Sequence, residues 1–159
     1  DYLKGLEYAQ KGLEICIAAN DTFGMMGAYV NLAFSHRDVG NYEIAEEYGN
    51  KALVCARAIN DKLVEARINL GLANVSYAQG KIDSARVRSK RALNLAKQVE
   101  GTAQVLGVYN LLGEIALGEM QIDSAIVYFN AILEQLGDGE PNTFSCNAYL
   151  GLSSCYSSA

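Results

Sequence analysis

The chain has 159 residues, of which 50% are hydrophobic and 19% charged, and it carries a net charge of -5. This composition supports one folded domain and excludes a disordered acidic segment. With no run of about 18 apolar residues, no basic export signal at its start and a pI near 4.9, the chain is expected neither to insert into a membrane nor to bind nucleic acid.

The sequence repeats itself every 40 residues. An alanine and, eight residues later, a leucine recur at the same positions of three successive copies. These residues are Ala45 and Leu53, Ala85 and Leu93, and Ala125 and Leu133. A fixed period of this length is the signature of a repeat architecture such as a solenoid.

In chain order, the frame divides the sequence into two half repeats and three complete ones. The predicted boundaries are 1–21, 22–61, 62–101, 102–141 and 142–159. Residues 1–21 are predicted to form only the second helix of a helix pair. Residues 142–159 are predicted to form only the first helix of a pair. Because both ends fall within a repeat, we expect the 1–159 solenoid to be a fragment of a longer protein. Pro141 is predicted to lie in the first turn of the last helix, where its missing N–H costs nothing.

Each copy predicts two helices joined by a tight turn. Gly40 and Gly80 end the first helices of two copies because glycine adopts positive φ readily, and Met120 replaces them in the third. In the first helix, residues at spacings of three, one and three form one interior face. This face comprises Tyr29, Leu32, Ala33 and His36; Asn69, Leu72, Ala73 and Ser76; Tyr109, Leu112, Gly113 and Ala116; and Tyr149, Leu152, Ser153 and Tyr156.

This pattern resembles the tetratricopeptide repeat. The residues that carry the resemblance are Leu32-Ala33, Gly40, Tyr42, Ala45 and Ala52-Leu53. The period of 40, rather than about 34, is similar to the longer repeats of bacterial sensors, peptide-reading regulators and polarity scaffolds. The resemblance implies an all-α, right-handed superhelical solenoid of antiparallel helix pairs, with the first helix of each pair lining a concave groove.

No group in the sequence has the spacing of a catalytic, metal or cofactor site. His36 is the single histidine, and its place on the interior face predicts a core residue rather than a catalytic base. The four cysteines lack CxxC spacing, so we expect small core residues, no disulfide between the last two and, from free thiols, a preference for the cytoplasm. They are Cys16, Cys55, Cys146 and Cys155. We therefore expect no enzyme, no metal and no cofactor.

A basic cluster is concentrated on one second helix and its start. Either it docks an acidic partner or, as we favour, it is a solvated outer face that meets Glu43, Glu46 and Glu47 of the preceding second helix. The cluster consists of Lys81, Arg86, Arg88, Lys90, Arg91 and Lys97.

The expected functional surface is the concave side of the first helices, where the resemblance places nine side chains against a protein or peptide segment. They are Phe34, Arg37, Arg67, Asn74, Tyr77, Asn110, Glu114, Asn147 and Ser154. Asn can pair with a peptide backbone, Arg with a carboxylate, and aromatic rings supply anchoring contacts. The clamp by which some family members hold a C-terminal carboxylate is not reproduced, since Val30, Leu70 and Leu150 occupy one of its lysine positions.

Two other functions stay open beside this non-catalytic binding module. The chain could be the sensory or regulatory part of a bacterial signalling protein such as a kinase or transcription regulator, or it could be a structural spacer. A weak homodimer is also expected, because Tyr149, Leu152 and Tyr156 lack a covering helix.

Overall fold

A computed structural model describes residues 2–137 and 139–157, and the side chains from residue 4 onward. Asp1, Asp138, Ser158 and Ala159, which the predicted repeats include, lie outside the described residues. Within the described part the chain forms eight α-helices. They are α1 (Tyr2–Ala18), α2 (Thr22–Asp38), α3 (Tyr42–Ala58), α4 (Lys62–Ala78), α5 (Ile82–Gln98), α6 (Thr102–Gly118), α7 (Ile122–Leu136) and α8 (Thr143–Ser157). No helix among these residues has both the length and the apolar character needed to cross a membrane.

Side-chain caps fix the starts of three of the helices. The carboxylates of Asp21 and Asp61 each accept a hydrogen bond of 2.9 Å, from the N–H of Gly24 and of Val64. At α8, Asn142 Oδ1 accepts from the N–H groups of Phe144 and Ser145 at 2.9 and 3.1 Å. The prediction that a proline starts this helix is wrong, because the residue before Asn142 precedes the cap and α8 begins at Thr143.

A residue with positive φ follows each of the first six helices and turns the chain into the next one. The positive φ expected at Gly40 and Gly80 is confirmed. The other four positions hold non-glycine residues, for which this conformation is sterically strained. The residues and their φ values are Asn20 (51°), Gly40 (79°), Asn60 (56°), Gly80 (73°), Glu100 (53°) and Met120 (60°).

The helices stack in two layers. We call α2, α4, α6 and α8 the first helices, and α1, α3, α5 and α7 the second helices. Neighbouring first helices contact one another, whereas no Cα atom of a described second helix comes within 8 Å of another second helix. The compact layer of a curved stack lies on its inner side, so the first helices form the concave wall. The predicted all-α superhelical solenoid is confirmed.

The packing between the layers differs from copy to copy at equivalent positions. Phe129 is 1% exposed and occupies the space that Gly113 and Gly151 leave open. A Cβ atom added at Gly151 would lie 2.4 Å from the Phe129 ring, and one at Gly113 would lie 2.7 Å from it. In the preceding copy, Ser89 stands where Phe129 does and Leu111 stands where Gly151 does. Large and small residues thus exchange places across the interface.

The predicted interior face packs inside in the first three copies. His36 is buried, as expected, and its ring stacks on that of Tyr48 with centroids 5.8 Å apart. Asn69 and Ser76 are buried too, and each donates to the carbonyl oxygen four residues earlier, at 2.8 and 2.9 Å. On α8, Tyr156 is 68% exposed because none of the described helices covers it.

The cysteines are all free, but they are not all core residues. Cys55 and Cys155 are buried, and burial raises the pKa of both thiols. Cys16 is half-buried, and Cys146 is exposed. The core prediction is therefore wrong for Cys146, because the side of α8 that carries it faces a depression rather than another helix.

Candidate functional site

The nine predicted binding residues all lie on the first helices, and each is at least partly exposed. Phe34 and Arg37 lie on α2, Arg67, Asn74 and Tyr77 on α4, Asn110 and Glu114 on α6, and Asn147 and Ser154 on α8. The structure brings them together in three groups along the inner layer rather than in one pocket.

The first group joins α2 to α4. The Phe34 ring lies against Gly71 of α4, where an added Cβ would come within 2.7 Å of the ring. The Arg37 guanidinium lies over the same ring, 4.9 Å from its centroid. Arg37 also donates to Asp38 Oδ1 from Nε at 2.9 Å and from Nη2 at 2.6 Å. Part of its capacity to hold a ligand carboxylate is therefore already used.

The second group lies on α4. Arg67 is exposed and forms no ion pair with any residue that the structure describes. Asn74 is half-buried, and its Nδ2 donates to the Leu70 carbonyl oxygen at 2.9 Å. Burial raises the pKa of the Tyr77 hydroxyl, and the negative charge of Glu114 on α6 raises it further. This second group thus adjoins the third.

The third group surrounds a depression of about 290 Å³ between α6 and α8, which we call the α6–α8 depression. Asn110 Nδ2 donates to Glu114 Oε1 at 2.7 Å. Asn110 Oδ1 is buried and has no hydrogen-bond partner among the described residues. The described residues that line it are Asn110, Glu114, Leu117, Phe129, Asn147, Leu150, Gly151 and Ser154. Four of the nine predicted residues therefore meet at one place.

The basic cluster lies on the outer side, and ion pairs hold most of it. The Glu46 carboxylate of α3 forms ion pairs with Arg88 at 3.0 Å and with Lys81 at 3.8 Å. The expected contact of the cluster with Glu46 is therefore confirmed. Arg86 pairs with Glu119. The other two expected partners bond elsewhere: Glu43 accepts from Gln79 and Glu47 from Lys51. Four of the six basic residues of this cluster therefore form ion pairs within the fold.

One charged group beneath this face was not predicted. Glu65 on α4 is buried, and its Oε1 accepts from Arg57 Nε at 2.8 Å and from Arg91 Nη2 at 2.9 Å. Burial acts to raise the pKa of Glu65, but the hydrogen bonds and charges of the two guanidiniums outweigh it, so the pKa lies below its usual value. Arg91 is 26 residues away from Glu65 in the sequence, so no sequence pattern indicated this ion pair. Only Arg57, eight residues before Glu65, is close enough in sequence to have suggested a partner.

Comparisons with known proteins agree with the fold. Residues 24–98 match the family described as Tetratricopeptide repeat. The crystal structure of BtubC (BKLC) from P. vanneervenii is similar, with a TM-score of 0.73 and 25% sequence identity over 86% of this chain. This chain spans 57% of the length of that one. No curated protein matches the chain in sequence.

The fold and these matches define the class of the molecule, which is an all-α helical repeat protein. Over residues 24–98 the repeats are similar to the tetratricopeptide type, as the sequence pattern indicated. Repeats of this type generally serve protein interaction.

Proposed function

We propose that the chain is a non-catalytic binding module that holds a peptide or protein segment along the exposed side of its first helices. The observation that carries this proposal is that polar groups on this side are left open by the fold. Arg67 and Glu114 are both exposed, and neither forms an ion pair with a residue that the structure describes.

Two aromatic side chains supply anchoring contacts for the same segment. Phe34 and Tyr77 are half-buried, so the fold holds both side chains while part of each stays accessible to a ligand. Binding energy at interfaces concentrates in a few such residues rather than spreading over the contact area.

The proposal is tested by selecting ligands from a random peptide library and measuring their affinity for a groove variant. This variant combines Arg67→Ala, Asn74→Ala and Glu114→Ala. A matched control removes a cation, an amide and a carboxylate from exposed positions of the second helices by Lys90→Ala, Asn94→Ala and Glu134→Ala. Circular dichroism first establishes that both variants are folded.

We expect the selected peptides to bind the wild type and the control equally and to lose at least tenfold in affinity for the groove variant. Equal loss in both variants, or loss in the control alone, would place binding elsewhere. If no peptide is selected, the spacer function is favoured over a binding module. A small-molecule ligand that alters the superhelix would instead favour the sensory or regulatory domain.

We also propose weak self-association through the uncovered side of α8. Tyr149 is 64% exposed and borders a depression of about 830 Å³ formed with the end of α7 and the loop that follows it. Contiguous exposed apolar side chains promote pairing. Sedimentation velocity at rising concentration should show a dimer that Tyr149→Lys with Tyr156→Lys abolishes, and a monomer at all concentrations would refute it.

A further inference from the structure

We propose that the α6–α8 depression binds one basic side chain, a lysine or an arginine, of the bound segment. This inference rests on the proposed function and deepens it, because it names the class of residue that the ligand must carry.

The charge of the depression favours a cation. Among the described residues that line it, Glu114 alone is charged, and its exposed carboxylate forms no ion pair with any of the residues described. Its hydrogen bond from Asn110 leaves the negative charge uncompensated. A ligand carboxylate would be repelled there, whereas an ammonium or guanidinium would form a charge-assisted hydrogen bond.

The hydrogen bond from Asn110 fixes the orientation of this carboxylate. An ionised carboxylate only accepts hydrogen bonds, so the amide group of Asn110 must turn its NH₂ toward Glu114. This fixes Asn110 Oδ1 on the side away from Glu114, where it is buried and has no partner among the residues that the structure describes. The acceptor that a ligand can reach is therefore the exposed Glu114 carboxylate, which has about four lone-pair sites, of which Asn110 occupies one, so it suits a ligand group with several donors. Lysine has three N–H donors and no acceptor, and arginine has five.

The remaining walls suit the hydrocarbon part of such a side chain. Leu117 and Leu150 line the depression together with Phe129 and Gly151. Lysine and arginine lay their methylene groups along apolar surfaces of this kind. The volume of about 290 Å³ lies at the lower limit for small-molecule sites, which fits a single side chain better than a whole ligand.

The test is a double-mutant cycle measured by fluorescence anisotropy. Each basic residue of a peptide that binds the first helices is replaced in turn by norleucine, which keeps the methylene groups and removes the charge. Binding is measured to the wild type, to Glu114→Gln and to the control Glu134→Gln, which removes an exposed carboxylate from α7.

We expect one such replacement to weaken binding to the wild type and to Glu134→Gln by roughly tenfold or more, and to weaken binding to Glu114→Gln by less than about threefold. Equal weakening in all three proteins at every basic position overturns the inference, as does tight binding of peptides without lysine or arginine. If those peptides still lose affinity for the groove variant, the proposed function survives. If no peptide binds the first helices, both fail.

Discussion

Replacing Gly151 by alanine should destabilise the protein, although alanine is the better helix former. The added Cβ would lie 2.4 to 2.6 Å from three atoms of the Phe129 ring, too close for any real contact. Because Phe129 is 1% exposed, the ring can yield only by disturbing the core. Overpacking of this kind costs about 1–3 kcal/mol, and the helix propensity of alanine returns about 0.5–1 kcal/mol. The net loss in the free energy of unfolding should be about 0.5–2 kcal/mol.

Gly27→Ala is the matched control, since it also replaces a glycine inside a first helix. An added Cβ at Gly27 has no neighbour within 4 Å, so this variant should be stabilised by about 0.5–1 kcal/mol. Urea denaturation followed by helical circular dichroism, with the slope held to its wild-type value, measures both effects. The two glycines should thus respond with opposite signs.

The cause is isolated by adding Phe129→Leu, which creates room for the new methyl group. The loss in the free energy of unfolding of the double variant Gly151→Ala with Phe129→Leu should be smaller than the sum of the two single losses, by about 1 kcal/mol. Strict additivity, or stabilisation by Gly151→Ala alone, would refute the view that the two positions exchange volume.

Three further outcomes are expected. Met120→Gly should raise the free energy of unfolding by about 0.5–1 kcal/mol, measured by urea denaturation, because a non-glycine residue there holds a φ of 60°. The folded pKa of Glu65 lies below its unfolded value of about 4.3, so the stability that its ion pairs contribute should be lost as the pH falls from about 4.3 through the lower folded pKa. A curve of the free energy of unfolding against pH should therefore fall less steeply for Glu65→Gln. In a thiol-labelling time course on the native protein, exposed Cys146 should react first, well before buried Cys55 and Cys155, whose raised pKa values leave less thiolate.

The helical frame could be predicted because it depends on residues that are close in sequence. The interior position of His36 and the left-handed turn at Gly40 follow from periodicity and local backbone preference, and both are confirmed. The exposure of Cys146 could not be predicted, since the same helical position is buried wherever another helix packs on it. Pairs such as Glu65 and Arg91 depend on how successive helices stack, which a pattern within one helix does not encode.

The candidate site, too, could be predicted from the sequence only in part. The resemblance to a known repeat selected the exposed positions of the first helices, including Asn110 and Glu114. It did not indicate that Asn110 Oδ1 lacks a partner among the described residues, or that a depression lies between α6 and α8. Those features arise from the volumes of three helices that meet, and only the assembled structure shows them.

The exchange of large and small residues between copies also protects the chain while it folds. Repeats with identical interfaces can pair with the wrong neighbour, which is a characteristic failure of repeat proteins. Here a shift by one repeat would press Phe129 against Leu111 instead of Gly151, and would leave Ser89 facing an empty space beside Gly151. At this interface the shapes of the packed side chains therefore favour the native order of the helices, in addition to the connectivity of the chain.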